Sequence, residues 1–173
     1  MQFSRWYFYG IIFMTLSLII SAAYLFIIKP RFNKKQIQQT LAIIKPDAIE
    51  AHLMGKIIDK IEQEGFKVID LRKIQLEKEG AEKFYEKDKN TKSFQALVSF
   101  MTSGPIVVLI LEKENAVQAW KDLMGDTNPS EAKEGTIRKL YGTNIEKNAV
   151  HGSDSAEGAM REIRFFFSDY SKI

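Results

Sequence analysis

His151 is one of only two histidines in the chain, and it stands in Asn148-Ala-Val-His-Gly-Ser-Asp-Ser155. A short apolar step ends there in glycine and small polar residues, and an amphipathic pattern opens at Ser155. This spacing puts an imidazole at a strand-to-helix turn, where a side chain can face a cleft and backbone N–H groups can face an anion. The other histidine, His52, has no comparable context. Lys45 closes an apolar run as Lys-Pro-Asp47, and Thr127, Arg138 and Asn148 lie in or beside a long loop. Glu162 falls about two turns into the last helical pattern, within reach of orienting an imidazole. Taken singly, each of these side chains is accounted for as a surface or hydrogen-bonded structural residue. Together they describe a neutral nucleophile among cations and donors, the arrangement that phosphoryl transfer requires. Histidine suits the role because its ordinary pKa of about 6.5 leaves much of it neutral at cell pH.

These residues must be positioned by alternating strands and helices. Thr40–Ile44 is a compact apolar run that fits a buried strand. Leu53, Met54, Ile57, Ile58 and Ile61 recur at helical spacing, with Gly65 as a stop. Phe66–Leu71 reads as a second strand. Ala81, Phe84 and Tyr85 mark one helix, and Phe94, Leu97, Val98 and Met101 another. Ile106–Leu111, the most apolar run after residue 35, is expected to be a central strand. Asn115–Met124 is helical up to Gly125. The stretch 126–147 has little periodicity and is too long for a passive connection. Ala149–His151 is a last short strand, and Ala156, Ala159, Met160, Ile163, Phe166 and Phe167 form the expected core stripe of a final helix. The order βαβ, two short helices, then βα-loop-βα indicates an α/β or α+β domain, with a split βαβ sheet a natural candidate.

Composition narrows the field. The apolar content of 45% with 12% aromatic residues is that of a globular chain. The absence of cysteine excludes disulfides, thiolate catalysis and cysteine-ligated zinc. Residues 1–35 hold five of the 25 basic residues and no acid, which leaves 20 bases against 22 acids in the rest. The basic pI therefore belongs to the N-terminal segment, and neither this charge nor any RNA-reading aromatic motif points to specific nucleic-acid binding. Trp6–Ile28 is an uncharged run of 23 residues. As a helix it would extend about 34 Å, enough for a bilayer core of about 30 Å. The cationic cluster Lys29, Arg31, Lys34 and Lys35 follows it, so the positive-inside rule puts the C-terminal side in the cytoplasm. The expectation is residues 1–35 as a membrane anchor with a basic flank and 36–173 as the catalytic domain. An exported domain after signal cleavage is the competing reading.

Five motifs carry a resemblance: Thr40-Leu-Ala-Ile-Ile-Lys-Pro-Asp47, Phe100-Met-Thr-Ser-Gly-Pro105, Leu123-Met-Gly-Asp-Thr-Asn-Pro129, Gly135-Thr-Ile-Arg138 and Asn148-Ala-Val-His-Gly-Ser-Asp-Ser155. In this order they resemble the nucleoside diphosphate kinases, over about Thr40 to Phe167. The resemblance implies an α+β fold, an α/β sandwich whose four-stranded antiparallel ferredoxin-like sheet is covered by helices. It implies a ping-pong reaction in which His151 takes the γ-phosphate of ATP or another nucleoside triphosphate on its pros nitrogen and passes it to a nucleoside diphosphate. Lys45, Thr127 and Arg138 match phosphate-holding positions, and Asn148 matches a sugar contact. Tyr85 and Glu162 match residues packed around the histidine, with Ser153 beside it. Mg2+ would be held mainly by phosphates and water, without dedicated protein ligands, and the protein would be a homo-oligomer, a tetramer or hexamer. Three positions depart from the pattern. Ser93 stands where a base-stacking phenylalanine is usual, with Phe94 as a substitute to consider. Lys121 replaces a phosphate-reaching arginine, and Glu134 replaces a loop proline. The first two motivate an alternative from another class, a nucleotide-binding or scaffolding relative with little kinase activity.

Overall fold

The computed structural model describes residues 37–171. The apolar run Trp6–Ile28, read above as a membrane span, lies outside them. Among the described residues no helix is long and apolar enough to cross a membrane.

Strand β1 (Ile37–Ile44) leads into a short helix α1 (Pro46–Glu50) and then α2 (Met54–Gln63). Strand β2 (Lys67–Gln75) is followed by α3 (Lys78–Phe84), a 3-10 turn (Glu86–Asp88) and α4 (Phe94–Met101). Then come β3 (Pro105–Glu114), α5 (Ala116–Met124), α6 (Ile137–Tyr141), β4 (Val150–Gly152) and α7 (Ala156–Phe166). The strands form one sheet in the order β2-β3-β1-β4, every neighbouring pair antiparallel. This is the split βαβ arrangement, with the α3–α4 hairpin inserted between β2 and β3, and it agrees with the four-stranded antiparallel sheet expected above.

The two interior strands explain the layering. Side chains alternate across a strand, and both faces of β1 and β3 are apolar, so each face must be covered. Ala42, Ile44, Val107, Leu109 and Leu111 point into one core, capped by Ile57 and Ile61 of α2 and Trp120 and Leu123 of α5. Leu41, Ile43, Ile106, Val108 and Ile110 point into the other, capped by Ala81 of α3, Val98 and Met101 of α4, and Ile163 of α7. Each fully buried Leu or Ile contributes about 1.5–3 kcal/mol, so the paired cores hold β1 and β3 more firmly than the short edge strand β4. Ile106–Leu111 is central, as expected.

Several expected boundaries move. β2 runs on to Gln75 because its outer residues pair with β3 as far as Pro105. β4 begins at Val150, not Ala149, because Ala149 sits at φ 67° and cannot extend a ladder. The helices α1 and α6 were not read from the sequence; at five residues each they are too short to show a helical period. The expected stripe of α7 is also corrected. Ala156 is exposed and Met160 is 43% exposed, whereas Ala159, Glu162 and Ile163 face inward. The carboxylate thus lies on the buried side of the helix.

Candidate active site

His151 is the middle residue of β4 and pairs with Ile43 of β1. Its backbone is tied on each side. The Lys45 amide donates to the Ala149 carbonyl (2.9 Å), and the Asp47 carboxylate accepts from the Ala149 amide (3.0 Å). The buried Trp120 indole donates to the His151 carbonyl (3.1 Å). Gly152 is required at the next position, since a Cβ there would lie 2.3 Å from Trp120 Cδ1 and 2.4 Å from its Nε1. Beyond it, the Ser155 hydroxyl accepts from the Gly158 amide (3.0 Å) and caps α7, the helix that delivers Glu162. A strand, a cap and a helix therefore set histidine against carboxylate.

The imidazole is 17% exposed, and its Nε2 lies 3.4 Å from Glu162 Oε2. The same carboxylate oxygen accepts from the buried Ser153 hydroxyl at 2.7 Å. Burial works to raise the Glu162 carboxyl, but the hydrogen bond and charge of His151, the Ser153 hydroxyl and the charge of Lys87 together hold it below the ordinary value. An ionised Glu162 accepts and does not donate, so it favours the tautomer with the proton on Nε2. That leaves the lone pair on Nδ1. Tyr85 packs edge-on against the ring, centroids 6.0 Å apart. Burial first, then Glu162 and Asp88, push its phenol well above the usual range, so it stays neutral; its hydroxyl has no hydrogen-bond partner among the described residues. Phe84, read from the sequence only as part of a helical stripe and not as a site residue, is closer still at 5.5 Å and joins Phe165 and Phe166 in an aromatic group. Its place in that stripe beside Tyr85 was the signal that could have found it.

The cations gather on the other side of β4. Lys45 Nζ donates to Asn148 Oδ1 (2.6 Å) and to the Glu146 carbonyl (3.3 Å). Its pKa is pushed down to about 8, by burial first and then by Arg138, against the opposing pull of Asp47 and Glu146. Asn148 Nδ2 in turn donates to the carbonyls of Thr127 and Ile145, each at 2.9 Å. Arg138 donates to the carbonyls of Gly125 (2.9 Å) and Val150 (3.3 Å), while its buried Nε has no partner among the described residues. Burial also lowers the Arg138 pKa. Lys45 and Arg138 repel each other, and among the described residues neither has a carboxylate bonded to it, an arrangement suited to an anion. Lys45, Asn148, Thr127 and Arg138 are thus brought together, next to the strand that carries His151.

The three departures fall on different elements. Ser93 is exposed at the start of α4 and its hydroxyl lies 3.4 Å from that of Thr91. Phe94, considered above as its substitute, is only 8% exposed and belongs to the second core, so its ring is not presented to a base. Lys121 Nζ donates to the Asp154 carbonyl at 2.7 Å, and Glu134 lies exposed, 3.7 Å from Lys139. Among the described residues no group of three or more histidines and carboxylates could hold a metal ion.

The comparisons bear directly on this geometry. Residues 38–171 match the family model described as nucleoside diphosphate kinase. The chain is 54% identical over 136 residues to the nucleoside diphosphate kinase of Geotalea uraniireducens, covering 79% of this chain and 99% of that protein. It is 52% identical over 132 residues to that of Persephonella marina, covering 76% and 94%. Among solved structures, the nucleoside diphosphate kinase of Aquifex aeolicus superposes with a TM-score of 0.75 at 40% identity, over 79% of this chain and 97% of that one. That of Halobacterium salinarum, solved in complex with CDP, gives a TM-score of 0.75 at 34% identity, over 78% and 90%. With the histidine–carboxylate pair and the adjacent cation cluster in the same fold, the chain belongs to the nucleoside diphosphate kinase family.

Proposed function

We propose that residues 36–173 form a catalytic domain that moves the γ-phosphate of a nucleoside triphosphate to a nucleoside diphosphate through a phosphohistidine at His151. The observation that carries this reading is the Nε2 contact to Glu162, itself anchored by Ser153, which leaves Nδ1 as the free lone pair. In the first half-reaction Nδ1 attacks the γ-phosphorus, the bond to the β-phosphate oxygen breaks, and the nucleoside diphosphate leaves. In the second, a β-phosphate oxygen of the acceptor attacks the same phosphorus and the P–N bond breaks. The Nε2 proton stays in the Glu162 hydrogen bond throughout, and the carboxylate steadies the positive charge on the ring. Lys45, Arg138 and Thr127 take the phosphates, Asn148 the sugar, and Tyr85 packs the ring in place. Magnesium held by the nucleotide's own phosphates would neutralise part of their charge; the Glu162 carboxylate beside the ring is already engaged by His151 and Ser153, so no side chain is assigned to hold the ion. The domain works as a homo-oligomer.

The decisive experiment is labelling with radioactive ATP. The protein should acquire an acid-labile, base-stable phosphate, and His151→Ala should lose both the label and transfer from ATP to dGDP, on the order of 10⁴-fold or more. A label retained in His151→Ala would sink the mechanism.

The exposed Ser93, the buried Phe94 and the engaged Lys121 favour a second reading, nucleotide binding or scaffolding with little turnover. Measured transfer at even a hundredth of an ordinary enzyme's rate, about 1–10³ s⁻¹, would rule it out.

The run Trp6–Ile28 supports a further part of the reading, a single membrane-spanning anchor with the catalytic domain on the cytoplasmic side. Fractionation with protease protection separates this from export after cleavage: a domain shielded in intact cells and recovered with membranes is the expected result, and a soluble exported domain would overturn it.

A further inference from the structure

Two ammonium groups from different elements meet on one residue beside the nucleophile. Lys87, in the 3-10 turn after α3, places Nζ 2.8 Å from Asp154 Oδ2. Lys121, in the last turn of α5, places Nζ 2.7 Å from the Asp154 carbonyl. Asp154 follows His151 by three residues in the turn into α7. Lys87 interacts by charge with Glu162, and Asp154 interacts by charge with Lys87, Lys121 and His151, so the acid that holds the lysines is also felt by the ring.

Neither lysine is committed. The Lys87–Asp154 pair is open to water, with side chains 47% and 72% exposed, and such pairs hold weakly, by about 0–1 kcal/mol. Lys121 donates to a neutral carbonyl and meets the Asp154 carboxylate only through space, without a direct ion pair. A lysine is a compact charge on a flexible stem, and a phosphate dianion offers each ammonium more charge than one carboxylate shared between them. The opposite side of the α3–α4 hairpin offers little to a base, because Ser93 is exposed and polar and Phe94 is buried. Affinity for a nucleotide must then come mostly from its phosphate end.

Resting on the kinase reading of the site, we propose that Lys87 is a phosphate-binding residue and closes with Lys121 as a two-lysine clamp on the nucleotide's phosphate tail, Asp154 holding the pair near the site until the nucleotide displaces it. Lys87 comes from the hairpin and Lys121 from α5, so the clamp draws the hairpin toward the phosphates.

Steady-state kinetics with ATP and dGDP over a range of salt test this. Lys87→Met should raise the KM for ATP about tenfold, the value of a charge-assisted hydrogen bond, with kcat little changed and a shallower salt dependence. Lys87→Arg should restore most of the loss. Asp154→Asn should lower the KM by freeing Lys87 from the carboxylate and removing the charge that attracts Lys121, whose bond to the backbone carbonyl remains. Two results would overturn the clamp: a Lys87→Met KM within about twofold of wild type, the usual effect of an exposed ion pair, or an Asp154→Asn KM raised as far as that of Lys87→Met with the double variant no worse. The latter would make the bridge a structural strut. A wild-type protein that neither labels on histidine nor transfers phosphate would overturn the kinase reading and the clamp with it. A wild type that turns over while Lys87→Met is indifferent would overturn the clamp alone.

Discussion

On the β4 side of the site the polar contacts are buried or half-buried and interlinked: Ser153 and His151 share one Glu162 oxygen, Trp120 holds the His151 carbonyl, and Asn148 bridges Lys45 to the Thr127 and Ile145 carbonyls. On the hairpin side the contacts are exposed and singly held, as with Lys87 on Asp154 and Thr91 beside Ser93. A pre-set nucleophile must not move relative to the group that orients it, because misplacement by an ångström is costly to rate. A nucleotide clamp has to open, and weak, solvated contacts suit that. Of the departures from the family pattern, Ser93 lies on the hairpin side and Lys121 on α5, and the His151–Glu162 contact involves neither.

Changes on the rigid side should have the largest effects. Gly152→Ala would drive a methyl into the fully buried Trp120 ring. Overpacking of this kind costs about 1–3 kcal/mol, and displacing Trp120 also loosens the His151 carbonyl. Chemical denaturation should show the lost stability and rapid-quench assays a slower phosphoenzyme; an unchanged midpoint would mean that β4 is not rigid at all. Glu162→Gln keeps the shape and removes the charge, so kcat should fall about tenfold to a hundredfold with little change in KM. If KM rises while kcat holds, Glu162 belongs to binding and the contrast between the two walls weakens.

On the exposed side a change should improve the protein. Ser93→Phe supplies a surface ring to a nucleotide base, and stacking is worth about 1–3 kcal/mol per base. KM for nucleoside diphosphates should drop about tenfold, with stability nearly unchanged. An unaltered KM would show that the base does not pass over the start of α4.

The smallest effect joins both sides through Lys45. Its folded-state pKa is about 8 against an ordinary 10.5. Below pH 8 the lysine is charged in both the folded and unfolded states, and folding bears the full cost of burying it. Between about pH 8 and 10.4 the folded form has lost its proton while the unfolded form keeps it, so this group's contribution to stability rises with pH. Urea titrations of wild type and Lys45→Met should therefore diverge in favour of wild type as pH rises from 8 to 10. Nucleotide needs the charged form, so ATP affinity should fall severalfold over the same window. A flat difference would mean that Lys45 titrates normally and is not poised for phosphate.

Much of this was legible before any coordinates. Ile106–Leu111 announced an interior strand because only a strand covered on both faces can be apolar at every position. The Asn148–Ser155 motif singled out His151 as the candidate nucleophile through its company, the cations and donors from Lys45 to Asn148, and through its family resemblance. Lys45, Thr127, Arg138 and Asn148 were identified by kind and by position at strand ends. The stripe of α7 was misjudged at Met160, because a helical period does not say which of two adjacent faces a sheet will cover. Phe94, considered as a substitute for a stacking ring, is buried in the second core, as its place in the α4 stripe also indicated.

The sequence by itself determined most of the element types, the candidate residues and the membership of the family, since these are written in local pattern and residue chemistry. The resemblance implied the pros nitrogen, but the physical reason, Glu162 approaching Nε2 across 11 residues and a helix cap, is supplied by the tertiary structure. It alone brought Lys87 and Lys121 together on Asp154 across 67 and 33 residues. Contacts that distant are set by how helices pack on a sheet, and no local spacing encodes them.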